Sequence, residues 1–549
     1  TVSVTHSVRF RKSLAAPGGA HASLGARAAL LLLVLFAEKF GLNFFINTQS
    51  ADTARGSGAM VRLIQHIGFR FAVPFALALA LFILVDRDGA LERVDSEARS
   101  AGFRARWLTV HLALLLALAG SLTLWYSRGG IRLPLVGISI VIASAAVIAL
   151  LAGLAPLALW KRSAAALGVR WAYAAAAAAL ASALFTFSQQ LWGSTAQLTF
   201  HVVRLLLVPV LPSLHADAAR RILETSHFAI YVAPYCSGLE GIALMIVFSC
   251  AWLLYFRREY VFPRALMLIP AGILVIFGLN ALRIAALMLI GNAGYPGIAL
   301  YGFHSQAGWI AFNCAACGIA FASRHSRWLN RNAGRDTAAR EENPAAAYLM
   351  PFLAILAAGM LSRAASSGFE TWYALRLIAA VAALAIWRRP LRRLDWRFGW
   401  RGIAAGLAVF ALWLGASHLI LDPRAMPGPL AAMTPAARDL WIAARALTGV
   451  LLVPIAEELA YRGYLMRRLL AEDFESVAFG SVTWIPLLVT AVAFGALHGA
   501  LWLPAIAAGV VYGLVLMRTG RMGEAVAAHA TSNLLIAAWV LGAGHWQLW

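Results

Sequence analysis

Residues 264–290 read RALMLIPAGILVIFGLNALRIAALMLI, and this stretch decides the fold class. Its apolar run exceeds the roughly 20 residues that a helix needs to cross a bilayer. Similar runs occur at 135–159 and 484–517. Because backbone groups inside a bilayer must be satisfied within the segment itself, such runs predict transmembrane helices.

The composition excludes a water-soluble enzyme and a disordered chain. Of the 549 residues, 61% are hydrophobic and 13% are charged, whereas soluble domains carry about 25% charged residues. The formal net charge is +22, and the Lys and Arg residues lie in short loops between apolar runs, as in cytoplasmic loops. We therefore expect anionic lipids as partners and no nucleic acid.

The fold class predicted is an all-α polytopic integral membrane protein with two transmembrane helical domains and roughly 14–16 spans. The first set of predicted spans lies near 27–47, 68–85, 106–126, 135–159, 169–188, 196–212, 239–256, 264–290 and 306–323. The second set lies near 346–362, 372–387, 402–421, 441–456, 482–498, 500–517 and 524–543. Since the run 27–47 is long enough to remain as an anchor, we expect no removable signal peptide.

A polar stretch between the two sets predicts the domain boundaries. It begins at Ser323 and continues to Pro344, which is typical of a linker. We predict a transmembrane domain at 1–330, a cytoplasmic linker at 331–345 and a second membrane domain at 346–549. Arginines follow the spans 239–256 and 306–323 directly, so the opposite ends of these helices are expected at the periplasmic face.

Three chemically active residues are expected at that face, on successive segments: Cys236, Arg283 and His304. Cys236 lies in a Gly-containing patch before a span, where a helix N-terminus favours thiolate. Arg283 lies inside an apolar run, where a charge is costly and marks function by default. Each residue alone has a structural explanation, but together they suit acyl transfer with a thiol nucleophile, a histidine acid–base and an arginine for the oxyanion.

The blocks Pro234-Tyr-Cys-Ser-Gly, Asn280-x-x-Arg-Ile and Phe303-His-Ser resemble the exosortase/archaeosortase family. The resemblance implies a cysteine peptidase or transpeptidase that cleaves a C-terminal sorting tail from exported proteins. It makes Cys236 the nucleophile, Arg283 the essential arginine and His304 the catalytic histidine. The acceptor and the scissile bond stay open, as does plain hydrolysis without transfer.

A second set of polar residues lies in the apolar helices of the C-terminal half: Glu457, Glu458, Arg462, His498, His529 and Asn533. Glu458 and Arg462 are four residues apart and are expected to pair, which leaves Glu457 available as a general base for water. Ion pairs that only fix helix packing are an alternative. A zinc site is another, but without a His-Glu-x-x-His helix it is not favoured, and we expect no cofactor.

The strings Glu-Glu-x-x-x-Arg, Phe-x-x-x-His and His-x-x-x-Asn look like the CAAX-protease and bacteriocin-processing family of intramembrane glutamate proteases. The resemblance implies that Glu457 and Glu458 activate water with help from His498, His529 and Asn533. Span counting places His498 at the far end of its helix, away from the others. A turn within the run 484–517, at Gly499 and Pro504, would resolve this conflict.

An exosortase-like half followed by a CAAX-protease-like half resembles the fused exosortase E/protease subfamily. Its implied partners are exported bacterial proteins with a Val-Pro-Glu-Ile-Asp (VPEID-CTERM) type of PEP-CTERM sorting tail, and its implied location is the inner membrane with the first site facing the periplasm. A transporter or flippase with buried charges is the competing interpretation. A C-terminal half that binds without cleaving is a further one.

Overall fold

The structure is a computed structural model that describes residues 104–127, 133–333 and 343–549, with a few single positions before residue 103. The predicted spans near 27–47 and 68–85 and the centre of the predicted linker lie outside the described residues. The described part is built from apolar helices with one small sheet. This confirms the all-α polytopic membrane class.

The first described helices are α1 (Ala105–Ser127), α2 (Leu133–Leu154), α3 (Leu157–Leu167) and α4 (Arg170–Leu207). Helix α4 runs without a break for 38 residues, so the prediction of separate spans near 169–188 and 196–212 is wrong. Its polar stretch contains no proline, and the single Gly193 costs a helix only about 1 kcal/mol. Helices α3 and α4 meet at a bend of 75°.

A small antiparallel sheet follows α4, with strands β1 (His215–Asp217), β2 (Ile222–Glu224) and β3 (Ala229–Tyr231) in that order. The chain continues through a 3₁₀ turn (Pro234–Cys236), helix α5 (Leu239–Tyr255), a 3₁₀ turn (Arg264–Met267), helix α6 (Leu268–Asn292), a π-helical turn (Ile298–Phe303) and helix α7 (His304–His325). One buried core joins α4, the sheet, α6 and the π-helical turn. It includes Phe200, Leu223, Val232, Cys236, Ile284, Met288 and Ala299.

The second set of helices begins with α8 (Pro344–Ala364), α9 (Ala374–Ile386), a short turn (Arg388–Leu391), α10 (Trp400–Ile420) and another short turn (Gly428–Ala431). Helix α11 runs from Pro435 to Arg468 and contains two π-helical segments, Thr448–Leu452 and Leu459–Leu465. The 3₁₀ turns Phe474–Ser476 and Phe479–Ser481 precede α12 (Trp484–Gly495), and the 3₁₀ turn Gly499–Leu501 precedes α13 (Trp502–Thr519). Helix α14 (Met522–Ala543) and the 3₁₀ turn Trp546–Leu548 complete the chain.

Among the described residues, nine helical segments are long and apolar enough to cross a membrane, or ten if the bent pair α3–α4 counts as one span. Helices α9 and α12 are apolar but shorter. Residue contacts divide the chain into two compact units: residues 1–181 with 469–472 and 481–493, and residues 182–468 with 473–480 and 494–549. The domain boundaries drawn from the polar stretch stay a prediction.

The loop that follows α8 is a close neighbour of the first candidate site within the second unit. A Cβ atom added to Gly302 would lie 1.9 Å from the Ser366 carbonyl oxygen, and one added to Gly297 would lie 3.0 Å from the Ser367 Cβ. Glycine is therefore what allows the π-helical turn before His304 to approach this loop. The same loop leads to Glu370 and α9, which border the second candidate site.

Candidate active sites

Cys236 closes the 3₁₀ turn before α5, and two neighbouring helices fix its backbone. The Asn280 side-chain amide on α6 donates to the Cys236 carbonyl oxygen at 3.0 Å. The buried Thr199 hydroxyl on α4 donates to the Ser237 carbonyl oxygen at 3.1 Å. The thiol-bearing residue is 9% exposed, so it is more enclosed than a water-reachable loop cysteine.

The glycine of the Cys-Ser-Gly sequence is required by this arrangement. Gly238 has a φ of 84°, which side chains other than glycine rarely adopt. A Cβ atom there would also lie 2.8 Å from the Asn280 amide nitrogen. The turn can therefore lie against α6 only with glycine at this position.

Arg283 lies one helical turn after Asn280 on α6, on the side that faces the thiol. Its guanidinium interacts electrostatically with Cys236, Glu240 and His304. Its Nε is buried without a hydrogen-bond partner, and no ion pair within 4.0 Å reaches it from the described residues. A desolvated cation without a partner beside a thiol can stabilise a thiolate or an oxyanion.

His304 is the first residue of α7 and is exposed. Its electrostatic neighbour is Arg283, which also interacts with Cys236, so Arg283 links the other two predicted residues. Among the described residues, no hydrogen bond joins the thiol to the imidazole. A substrate carbonyl therefore has to enter beside Arg283 before the thiol and the imidazole can act on the same bond.

The second candidate site is built around a buried pair on α11. Arg462 Nη1 donates to Glu458 Oε1 at 3.1 Å, and both side chains are 0% exposed. Arg462 Nη2 donates to the Gly509 carbonyl oxygen on α13. His529 Nδ1 on α14 lies 3.0 Å from the same Glu458 oxygen. Because an ionised carboxylate only accepts, this contact puts a proton on Nδ1.

Glu457 is the carboxylate that faces open space. It lines a cavity of about 200 Å³, and its Oε2 lies 3.8 Å from His529 Nε2. No hydrogen bond reaches that oxygen from the described residues. Arg462 offers one positive charge against two glutamates, so the buried set is neutral when one proton resides on Glu457 or His529. Such a proton can be exchanged between the two, which suits acid–base chemistry on water.

His498 reaches the same cavity because the chain reverses between α12 and α13. A Cβ atom on Gly495 would lie 2.5 Å from the Ile506 side chain. If the helix continued straight, the eleven residues from Gly495 to Ile506 would separate these two positions by roughly 16 Å. Gly499, with a φ of 54°, lies in this turn. His498 Nδ1 donates to the Phe494 carbonyl oxygen at 2.8 Å, which leaves Nε2 free for the cavity, since a carbonyl only accepts.

Asn533 also lines the cavity, and its amide nitrogen donates to the Gly449 carbonyl oxygen at 2.8 Å. The side-chain oxygen is thereby held as an acceptor. Tyr512 is a neighbour that the motif strings did not reveal. Its ring stacks on His529 at 4.7 Å and 17°, and its hydroxyl lies 2.7 Å from the Ser532 hydroxyl. These contacts hold the imidazole plane between the two glutamates.

The cavity extends from Glu457 toward the beginning of α11. Its lining on that helix includes Arg445, Gly449 and Val453 but no residue after Glu457. Arg467 and Arg468, at the C-terminal end of the same helix, are not among the residues that line the cavity. No three His, Cys, Asp or Glu side chains in the described segments form a group that could hold a metal ion.

Comparisons with known proteins match two separate regions of the chain. A family model for transmembrane exosortases matches residues 65–321, and a model for type II CAAX prenyl endopeptidases, Rce1-like, matches residues 439–535. "Uncharacterized protein YyaK" of Bacillus subtilis (strain 168) is 30% identical over 189 residues, which is 31% of this chain and 56% of that protein. The chain thus spans about half the length of this relative. No solved structure matches the chain.

Two separate regions of this multi-pass membrane protein are therefore similar to two families of membrane peptidases. Residues 65–321 are similar to exosortases, and residues 439–535 are similar to Rce1-like CAAX proteases.

Proposed function

We propose that Cys236 attacks the carbonyl of a peptide bond at the sorting tail of an exported protein. The sulfur–carbon bond forms while His304 accepts the thiol proton, and Arg283 stabilises the oxyanion. His304 then protonates the leaving amine as the carbon–nitrogen bond breaks. The thioester left on Cys236 passes to an acceptor amine. The observation that carries this proposal is the Arg283 guanidinium, which interacts electrostatically with both the thiol and the imidazole and whose buried Nε has no hydrogen-bond partner among the described residues.

The substrate of this site is proposed to carry a VPEID-CTERM type of tail, in a bacterial inner membrane with Cys236 facing the periplasm. The loop arginines after α5 and α7 support this orientation, because such residues favour the cytoplasmic face and the adjoining ends of these helices are remote from Cys236 and His304. The same arginines are proposed to contact anionic lipids.

Replacing His304 with alanine is expected to slow tail removal about 100-fold, because general acid–base groups contribute 10²–10⁴-fold. The measurement is the intact mass of a tailed cargo protein co-expressed with the full chain, followed over time. His325→Ala is the matched control, since His325 lies exposed in the last turn of the same helix. Unchanged processing by His304→Ala would remove the histidine from the mechanism.

The same mass measurement separates transfer from hydrolysis. Transfer leaves the mature cargo with a C-terminus heavier than the free acid by the mass of the acceptor minus water. Hydrolysis leaves the free carboxylate. A cargo that ends in a free carboxylate at all times would restrict the proposal to proteolysis.

For the second site we propose an intramembrane endopeptidase reaction in which Glu457 takes a proton from water. The oxygen attacks the substrate carbonyl, and the second amide N–H of Asn533 stabilises the oxyanion, while the free Nε2 of His498 accepts a hydrogen bond from the attacking water. The proton then passes to the leaving amine as the carbon–nitrogen bond breaks. Glu458 and Arg462 position His529 beside Glu457. The contact set around Glu457 and its open cavity supports this assignment.

This second reaction is proposed to need no metal. We expect cleavage of internally quenched apolar peptides by the detergent-purified chain to change less than twofold on addition of 1,10-phenanthroline or EDTA. A metal hydrolase would lose its activated water on chelation. Strong inhibition that added Zn²⁺ reverses would replace the glutamate mechanism with a metal one.

A further inference from the structure

Arg445 is a charged wall residue of the second cavity that no motif in the chain accounts for. It lies on α11 twelve residues before Glu457 and lines the same cavity as Glu457, His498 and Asn533. Twelve residues of ideal α-helix leave two side chains about a third of a turn apart. The π-helical segment Thr448–Leu452 between them has a wider turn and changes this register.

The guanidinium of Arg445 is enclosed by aromatic rings instead of carboxylates. Its central carbon lies 4.9 Å from the centre of the Tyr373 ring, 5.7 Å from that of Trp441 and 5.4 Å from that of Trp549. The Tyr373 hydroxyl is a polar neighbour. The Nε atom is sealed from solvent without a hydrogen-bond partner. Among the described residues, no carboxylate lies within ion-pair distance of this arginine.

The nearby charges leave this end of the cavity positive. Glu370 is the acidic side chain that faces the cluster, and Arg376 engages both its oxygens at 2.7 Å. Arg363 approaches the same carboxylate at 4.0 Å. Glu370 is therefore already paired with other arginines. The Nε donor of Arg445, to which no described residue offers an acceptor, lies in a largely desolvated place. Buried arginines are normally paired, and the fully buried Arg462 guanidinium is paired with Glu458.

We propose that Arg445 is the anion-binding subsite of the second active site and holds a carboxylate of the peptide being cleaved. This inference rests on the endopeptidase function proposed for Glu457. A guanidinium presents a planar set of donors that matches a carboxylate, and the surrounding rings exclude the water that would otherwise weaken the pair.

The distance between the two residues predicts where cleavage occurs. Twelve helical residues span about 18 Å, which about five residues of extended peptide cover. The scissile bond therefore lies within about five residues of the anchored carboxylate. Lengthening a peptide on its N-terminal side leaves this position unchanged.

The test uses the full chain in detergent and three forms of one apolar, internally quenched peptide. The first ends in a free carboxylate, the second in a carboxamide, and the third is a carboxamide with glutamate as its last residue. Cleavage and the cut position are measured on the wild type. Binding of the same peptides is measured on Glu457→Gln, so that affinity is read without turnover. The third peptide distinguishes a side-chain carboxylate from the C-terminal one.

We expect the free acid to bind at least tenfold more tightly than the carboxamide. This preference should fall to less than twofold in Arg445→Gln and persist in part in Arg445→Lys. Arg438→Gln, on the same helix but outside the cavity, should keep the full preference. Equal affinity for acid and amide in the protein that retains Arg445, or an undiminished preference for the acid in Arg445→Gln, would overturn the subsite. If acid is preferred but none of the peptides is cut, the subsite stands and the endopeptidase proposal fails.

Discussion

Replacing Cys236 with alanine is expected to abolish tail release, with a loss of at least ~10³-fold, as when the nucleophile of a covalent protease is removed. No thioester can form without the sulfur. Neither Arg283 nor His304 can replace it as the nucleophile. Arg283 has no free electron pair at neutral pH, and His304 lies exposed at the start of its helix. The rest of the region should remain folded, because alanine retains the Cβ and the backbone bond from Asn280 does not involve the side chain.

The measurement is the fraction of cargo that retains its tail, determined by intact mass after co-expression with each variant. Cys250→Ala is the matched control, as Cys250 is a free, half-buried cysteine on α5, the helix that Cys236 precedes. We expect this variant to process cargo at the wild-type rate. Continued tail release by a well-folded Cys236→Ala protein would exclude covalent catalysis at this site.

The helices of this protein were predictable from sequence because every span in a lipid bilayer has to satisfy its own backbone hydrogen bonds. The apolar run 264–290 corresponds to helix α6 and the 3₁₀ turn before it, and the predicted ends of most described spans fall within a few residues of the helices. Whether two neighbouring helical stretches form one continuous helix was harder to predict than which residues are helical. In α4, polar residues were interpreted as a loop, but a helix satisfies its own backbone whatever the side chains are.

The residues of the two sites were predictable where charge is costly. Arg283 and Glu458 are conspicuous because apolar helices seldom carry them, and spacing alone predicted the contact of Glu458 with Arg462. Residues such as Thr199 and Tyr512 gave no such signal, because a hydroxyl or an aromatic ring is common in membrane helices. Their roles depend on which helix lies opposite, and a single sequence does not specify that pairing.

Arg445 is a charged residue whose role the sequence alone did not indicate. In the sequence it lies ten residues after Pro435, where its helix begins, and it resembles an interfacial arginine that reaches toward polar headgroups. Only the fold brings Tyr373 from α9 and Trp549 from the end of the chain around it. The cavity that Arg445 lines is formed by residues that are distant in the sequence, so no local stretch of sequence predicts it.

Replacing Glu457 with glutamine is expected to lower the kcat of peptide cleavage at the second site about 10³-fold, with little change in melting temperature. Glutamine has the shape of glutamate but cannot take a proton from water. No described residue hydrogen-bonds to Glu457 Oε2, so the change loses no such contact there, and it removes a buried negative charge. Cleavage of internally quenched peptides, measured alongside thermal unfolding, gives both quantities.

Glu458→Gln separates the roles of the two adjacent carboxylates. Glu458 is fully buried against Arg462 and His529, so this change leaves a buried arginine without its counter-charge, which typically costs 3–5 kcal/mol. We expect a lower melting temperature together with lower activity, whereas Glu457→Gln loses activity alone. Glu472→Gln, at an exposed position between α11 and α12, should change neither.

The contrast between the two variants decides which glutamate activates water. If Glu457→Gln is destabilised and Glu458→Gln is merely slow, the carboxylate paired with Arg462 is the base, and the cavity-facing one holds the helices together. Such a result would require the ion pair to open during the reaction, because in the resting protein Glu458 lies behind Arg462 with 0% exposure. The asymmetry of the two carboxylates, one held and one facing open space, is what makes Glu457 the expected base.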